Sequence, residues 1–148
     1  MNDEPRKTKL PCREITDKVI RAFYKTMDTL GTVRGTPVNE FRSRMTEQCR
    51  KAGLRVTLDK VVDTGGHNHP EDMVTIDMVV EGLVVVVIKN ILTIGPEHYA
   101  KGAYWMEIGG YPAGLLLNYG EKEKKPRRIM PPRKYRKGPW PCPEQEEE

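Results

Sequence analysis

Cysteine is scarce in this chain of 148 residues, and phenylalanine and tryptophan are scarcer still, with three of the first and two of each of the others. Cys12, Cys49 and Cys142 are odd in number and widely spaced. That matches free thiols in a reducing compartment better than a disulfide framework or a zinc knuckle. Histidine is equally sparse. His67 and His69 sit with Asn68 in a glycine-containing loop, and no cysteine stands at a spacing that completes a zinc site with them or with His98. Long apolar runs are absent as well: the longest, residues 83–88, is far too short to cross a bilayer. The first residues, Met1-Asn2-Asp3-Glu4-Pro5-Arg6-Lys7, carry no apolar core and include acids, so neither secretion nor an organellar transit peptide is expected. Gly65-Gly66 lacks a following Lys-Ser/Thr, which removes a phosphate-binding loop from consideration.

What the chain does have is periodic apolar pattern. Over residues 13–30, Ile15, Val19, Ile20, Phe23, Met27 and Leu30 recur at three- and four-residue steps, which predicts an amphipathic helix stopped by Gly31. Thr36-Pro37 reads as an N-cap and first helical residue of a second helix. Val38, Phe41, Met45 and Cys49 fall on one face of it, and Gly53 ends it. Residues 54–62 read as a strand. Residues 73–80 and 83–89 are β-branched arms around Glu81-Gly82, a hairpin, and the four consecutive valines Val84–Val87 imply an arm buried on both faces. Gly95-Pro96 opens a third helix, about 96–108, closed by Gly109-Gly110. Residues 111–117 supply a further strand, and a short one follows near 128–130.

The expected order is therefore α-α-β-β-β-α-β-(β), an α/β fold with a small mixed sheet flanked by helices. The strand–helix–strand step calls for a parallel neighbour. A polar arm (1–12), a globular domain (13–130) and a proline-rich tail (131–148) complete the organisation.

Two stretches carry candidate chemistry. Asp77 and Lys89 are charged groups inside apolar strands, costly unless paired, hydrated or used. Their simplest role is a salt bridge with each other. The second stretch, 122–137, holds nine cations: Lys122, Lys124, Lys125, Arg127, Arg128, Arg133, Lys134, Arg136 and Lys137. Runs of this kind often serve as solvated tails. Here Tyr135 and Trp140 are interleaved, and aromatics can stack on bases while cations meet phosphates. If all nine touched duplex phosphates, the log–log salt slope of binding would be about −8. The final Glu144-Gln145-Glu146-Glu147-Glu148 reverses the sign. Lys124-Lys125-Pro126-Arg127-Arg128 also matches a loose nuclear-import pattern.

The element order, the hairpin and the ending Gly114-Leu115-Leu116-Leu117-Asn118-Tyr119-Gly120 together resemble the GxxExxY proteins, small members of the PD-(D/E)XK nuclease-like superfamily. The resemblance covers about residues 15–130. It implies a restriction-endonuclease-like fold in which a strand Asp and the Glu of a Glu-x-Lys hold a divalent metal, while the Lys helps activate a water against a phosphodiester.

Asp77 and Lys89 stand on that Asp and Lys, but Val87 stands where the Glu belongs. The signature Gly-x-x-Glu-x-x-Tyr falls on residues 35–41 with Val38 for its Glu and Phe41 for its Tyr, and Lys101 replaces an expected Gln. Glu40, Glu81 and Glu107 are poorly placed to substitute.

The resulting expectation is a nuclease fold without its metal site. No catalytic residue, metal or cofactor is expected, and the chain would be a non-catalytic nucleic-acid-binding or scaffolding subunit of a larger, nucleoprotein-like assembly. Nucleic-acid binding is assigned to the nine cations with Tyr135 and Trp140. The expected location is intracellular, in cytoplasm or nucleus, with no membrane, and the sheet edge favours a homodimer. Two alternatives stand beside it: an active Mg²⁺-dependent nuclease with relocated ligands, and a purely protein-binding structural subunit.

Overall fold

Apolar spacing places two helices on one side of a sheet. The computed structural model describes residues 12–30, 33–64, 73–131 and 133. Helix α1 (Arg13–Thr29) buries Ile15, Val19, Ala22, Phe23 and Thr26, and α2 (Val38–Lys51) buries Phe41, Met45, Thr46 and Cys49. Each set repeats every three or four residues, so each helix turns one stripe inward. Helix α2 starts one residue later than its proline suggests. Pro37 is extended and caps the helix, and its carbonyl accepts the Phe41 N–H at 3.0 Å.

Strands β1 (Val56–Asp63), β2 (Met73–Val80), β3 (Val84–Lys89), β4 (Ala113–Asn118) and β5 (Arg127–Arg128) form one sheet in the order β1-β2-β3-β4-β5. The pairs β1–β2, β2–β3 and β4–β5 are antiparallel, and β3–β4 is parallel. Helix α3 (Pro96–Gly109) makes the crossover between the two parallel strands, as the expected mixed sheet requires. Proline at its first position costs no hydrogen bond, and Gly110 at φ 74° closes it. At the hairpin, Glu81 and Gly82 both have positive φ, and Leu83 N–H donates to Val80 O at 3.0 Å. That backbone matches the right-handed twist of its flanking strands.

Three layers result. Helices α1 and α2 share an apolar cluster with Met78, Val80, Val84, Val86, Ile88, Leu115 and Leu117. Helix α3 shares a second cluster on the opposite face with Ile76, Val79, Val85, Val87 and Leu116. The four consecutive valines are each at most 1% exposed, because β3 is central and both faces are covered.

Strand alternation breaks once. Along β1, Val56 and Leu58 face the first cluster but Val62 faces the second; along β2, Met78 and Val80 face the first but Ile76 the second. The phase slips between these residues, at Asp59 and Asp77. Asp59 has φ 55°, a left-handed turn within a strand that re-aims the residues beyond it.

The polar arm, the loop carrying His67 and His69, and the tail carrying Lys134, Tyr135, Arg136, Lys137 and Trp140 lie outside the described residues, except for Cys12, Pro131 and Arg133.

Candidate functional site

Strands β2 and β3 pair through Val79↔Val85 and Val80↔Val84 and then part. Asp77 sits at the fork. In the ladder to β1, Leu58 pairs with Met78 and Lys60 with Ile76, so Asp59 faces Asp77 from the neighbouring strand. The N-terminal half of α2 closes over this point. A cleft of about 300 Å³ is lined by Val38, Asn39, Arg42, Asp59, Asp77 and Ile88. Arg42 ties its walls together: one guanidinium nitrogen donates to Asp59 Oδ1 at 3.2 Å and to the Asp77 backbone carbonyl at 3.1 Å.

Sequence reading missed both Arg42 and Asp59. Asp59 carried a usable signal, an acid in the middle of a predicted strand adjoining the one that bears Asp77. Arg42 carried none, because on a helix surface it reads as one cation among many.

The structure sorts the remaining site residues. Val38 lines the cleft. Val87 does not: it is 1% exposed and packs with Trp105, Met106 and Ile129 on the α3 face. Lys101 projects over the Trp105 ring, 5.2 Å from its centroid. Phe41 is fully buried and stacks on Tyr119, with centroids 4.0 Å apart and planes 7° from parallel.

The salt bridge expected between Asp77 and Lys89 is not formed among the described residues. The strands diverge before Lys89, whose register partner is Asn118 of β4. The acids judged poorly placed are occupied or distant. Glu40 pairs with Arg44 one turn on, Glu81 binds Arg55, and Glu107 is exposed on α3.

The motif Gly114–Gly120 is a clasp rather than a reactive group. Asn118 is fully buried. Its Oδ1 accepts the N–H groups of Ile91 and Gly120, both at 3.0 Å, and its Nδ2 donates to Ile91 O at 2.9 Å. The Tyr119 hydroxyl donates to Thr36 O at 2.5 Å, just before α2. Burial pushes the Tyr119 phenol up to about 12. The motif thus pins the ends of β3 and β4 to the start of α2, the helix that roofs the cleft.

The cationic segment divides. Arg127 makes a two-pronged pair with Glu121, which raises its pKa above the ordinary value. Arg128 donates to the Thr16 hydroxyl on α1, and burial lowers its pKa. Lys124 donates to the Glu121 carbonyl at 3.1 Å. Lys122, Lys125 and Arg133 are exposed. Two of the expected nucleic-acid contacts are therefore used inside the fold, with β5 as the reason.

The expectation of three free thiols needs correction. Cys12 is disulfide-bonded, while Cys49 is free and buried, its thiol pushed up to about 12 by burial. Spacing along a chain does not measure distance across a fold, and with this bond the thiol argument for a reducing compartment is removed. Among the described residues, no helix is long and apolar enough to cross a membrane.

The chain matches the PD-(D/E)XK nuclease superfamily over residues 13–129, nearly the whole folded region, and belongs to it. No curated protein and no solved structure matches it.

A divalent metal, which this superfamily implies, fits these residues poorly. Among the described residues, no three His, Cys, Asp or Glu side chains converge. The cleft offers two carboxylates and one amide, and a guanidinium already engages one of those carboxylates. Hard cations prefer several oxygen ligands free of a competing positive charge.

Proposed function

We propose that this chain is a nuclease-fold protein of degenerate GxxExxY type that binds nucleic acid without cutting it, as a subunit of a larger assembly. Superfamily membership supports the nucleic-acid part. The single observation that carries the non-catalytic part is the donor set of the Asp77 cleft: its carboxylates are Asp59 and Asp77, and the Arg42 guanidinium already donates to Asp59. On the resemblance two further donors would stand at positions 38 and 87, but Val38 lines the cleft as hydrocarbon and Val87 packs on the α3 face of the sheet. Metal-dependent phosphodiester hydrolysis would need more oxygen ligands than remain. Arg42 supplies positive charge where a metal would otherwise supply it, but a guanidinium cannot generate a metal-bound nucleophile. Lys122, Lys125 and Arg133, with the cations and aromatics of the tail, provide the phosphate-binding charge.

A second reading is favoured by one observation: Asp59 stands beside Asp77 in the same cleft. In that reading Asp59 is the relocated ligand of a Mg²⁺-dependent nuclease. A cleavage assay on single- and double-stranded DNA and RNA with Mg²⁺ or Mn²⁺, comparing Asp77→Ala and Asp59→Ala, separates the two. The expected result is binding that weakens with salt and no metal-dependent cutting. Cutting abolished by either substitution overturns the non-catalytic assignment. Co-purification from the native source with and without nuclease treatment tests the assembly: a partner retained equally in both points to protein contacts instead.

A further inference from the structure

Away from the Asp77 cleft, α1 and the C-terminal half of α2 enclose a second cavity of about 430 Å³. Lys18, Arg21 and Lys25 line it from α1, Lys51 and Gln48 from α2, and two alanines leave its space open. The α1 cations stand at i, i+3 and i+7, so one helix face delivers all three. No acidic side chain lines the cavity. Among the described residues, none of the four cations makes an ion pair or side-chain hydrogen bond, unlike Arg13, Arg42, Arg44, Arg55 and Arg127, each of which has an acidic partner. Like charges converging on one concavity repel each other and focus a positive potential there, which an anion relieves. The C-terminal end of α2 accounts for Lys51, since a helix dipole favours a cation there, but it does not account for the three on α1.

Positions 39 and 42, which face the Asp77 cleft, lie about half a turn around α2 from positions 48 and 51 and about 14 Å along its axis. The two cavities are separate surfaces of one helix.

The geometry points to the α1–α2 cavity as a phosphate-backbone site for nucleic acid, a contact distinct from both the Asp77 cleft and the 122–137 segment. Charge complementarity selects the occupant: four cations and an amide donor around a space open to solvent suit phosphodiester oxygens, with Gln48 able to donate to one of them. This inference rests on the reading of the chain as nucleic-acid-binding.

The test uses the full chain and a fluorescein-labelled oligothymidylate or oligouridylate, titrated by anisotropy across a range of NaCl. The variant carries Lys18→Glu, Arg21→Glu, Lys25→Glu and Lys51→Glu, and circular dichroism checks its fold. A second variant with all four changed to Gln keeps the experiment decisive if the acidic one misfolds. Loss of the four contacts should weaken binding at least tenfold at low salt and flatten the log–log salt slope by about 3 for a single strand. Replacing the lysines with Arg should leave binding intact. Unchanged affinity and slope in both variants, with wild type still binding, overturns this inference and leaves the proposed function standing. Wild type that binds no oligonucleotide overturns both. Direct ATP binding that the variants abolish, with oligonucleotide binding unaffected, reassigns the cavity to free nucleotides and overturns the backbone assignment.

Discussion

One amide at Asn118 joins two strand ends. It satisfies the N–H and C=O of Ile91 and the N–H of Gly120 from a fully buried position. Gly120 is required beside it, because a Cβ there would lie 2.5 Å from the Ile91 backbone nitrogen. Asn118→Ala leaves the buried Gly120 N–H and the two half-buried Ile91 backbone groups without their partner and should cost about 1–3 kcal/mol, read as a lowered urea midpoint. Tyr119→Phe removes one hydrogen bond but keeps the stack on Phe41, so it should cost less. Residue identity was highly legible here. The motif was visible as a family-like ending, although its role as a clasp required the fold. Asp59 shows the opposite case: its type was plain, but only its φ and its partner across the ladder make it part of the site.

At the scale of elements, the cationic segment separates into a structural strand and an exposed remainder. In β5, Arg127 and Arg128 close the sheet against β4 and tie it to Glu121 and α1. Arg128→Ala should destabilise the protein by about 1–2 kcal/mol, since it strips a half-buried charged donor from Thr16. The double variant Lys122→Ala, Lys125→Ala should leave the urea midpoint nearly unchanged and flatten the nucleic-acid salt slope by about 1.4–1.8. Equal loss of stability in both variants would remove the distinction. Sequence placed helices and strands to within a residue or two, because 3.6- and 2-residue periods survive without tertiary context. The break in alternation at Asp59 and Asp77 was invisible, since a left-handed aspartate leaves no apolar trace.

For the whole molecule, a buried thiol and buried phenols set the response to base. Burial raises the Cys49 thiol and the Tyr119 phenol to about 12, and raises Tyr111 as well. Each folded pKa exceeds its unfolded value, so the native state holds protons that the unfolded chain releases. Stability is fully present below about pH 9 and falls between pH 9 and 12. Urea unfolding across that window should show the decline, and Cys49→Ala with Tyr119→Phe should flatten it relative to wild type. The same burial follows from three layers, with two helices on one face of the sheet and one on the other, so the alkaline limit belongs to the architecture.

Local pattern alone determined the order of elements, the mixed sheet and the burial of Val84–Val87, because apolar period and residue type are local properties. Tertiary structure alone decided that Asp77 faces Asp59 and Arg42 rather than Lys89, that Arg128 serves the fold, that Cys12 is bonded, and that Lys18, Arg21, Lys25 and Lys51 gather around one cavity. Those are matters of distance between residues far apart in the chain, and strand register and helix packing set such distances only once the whole sheet has closed.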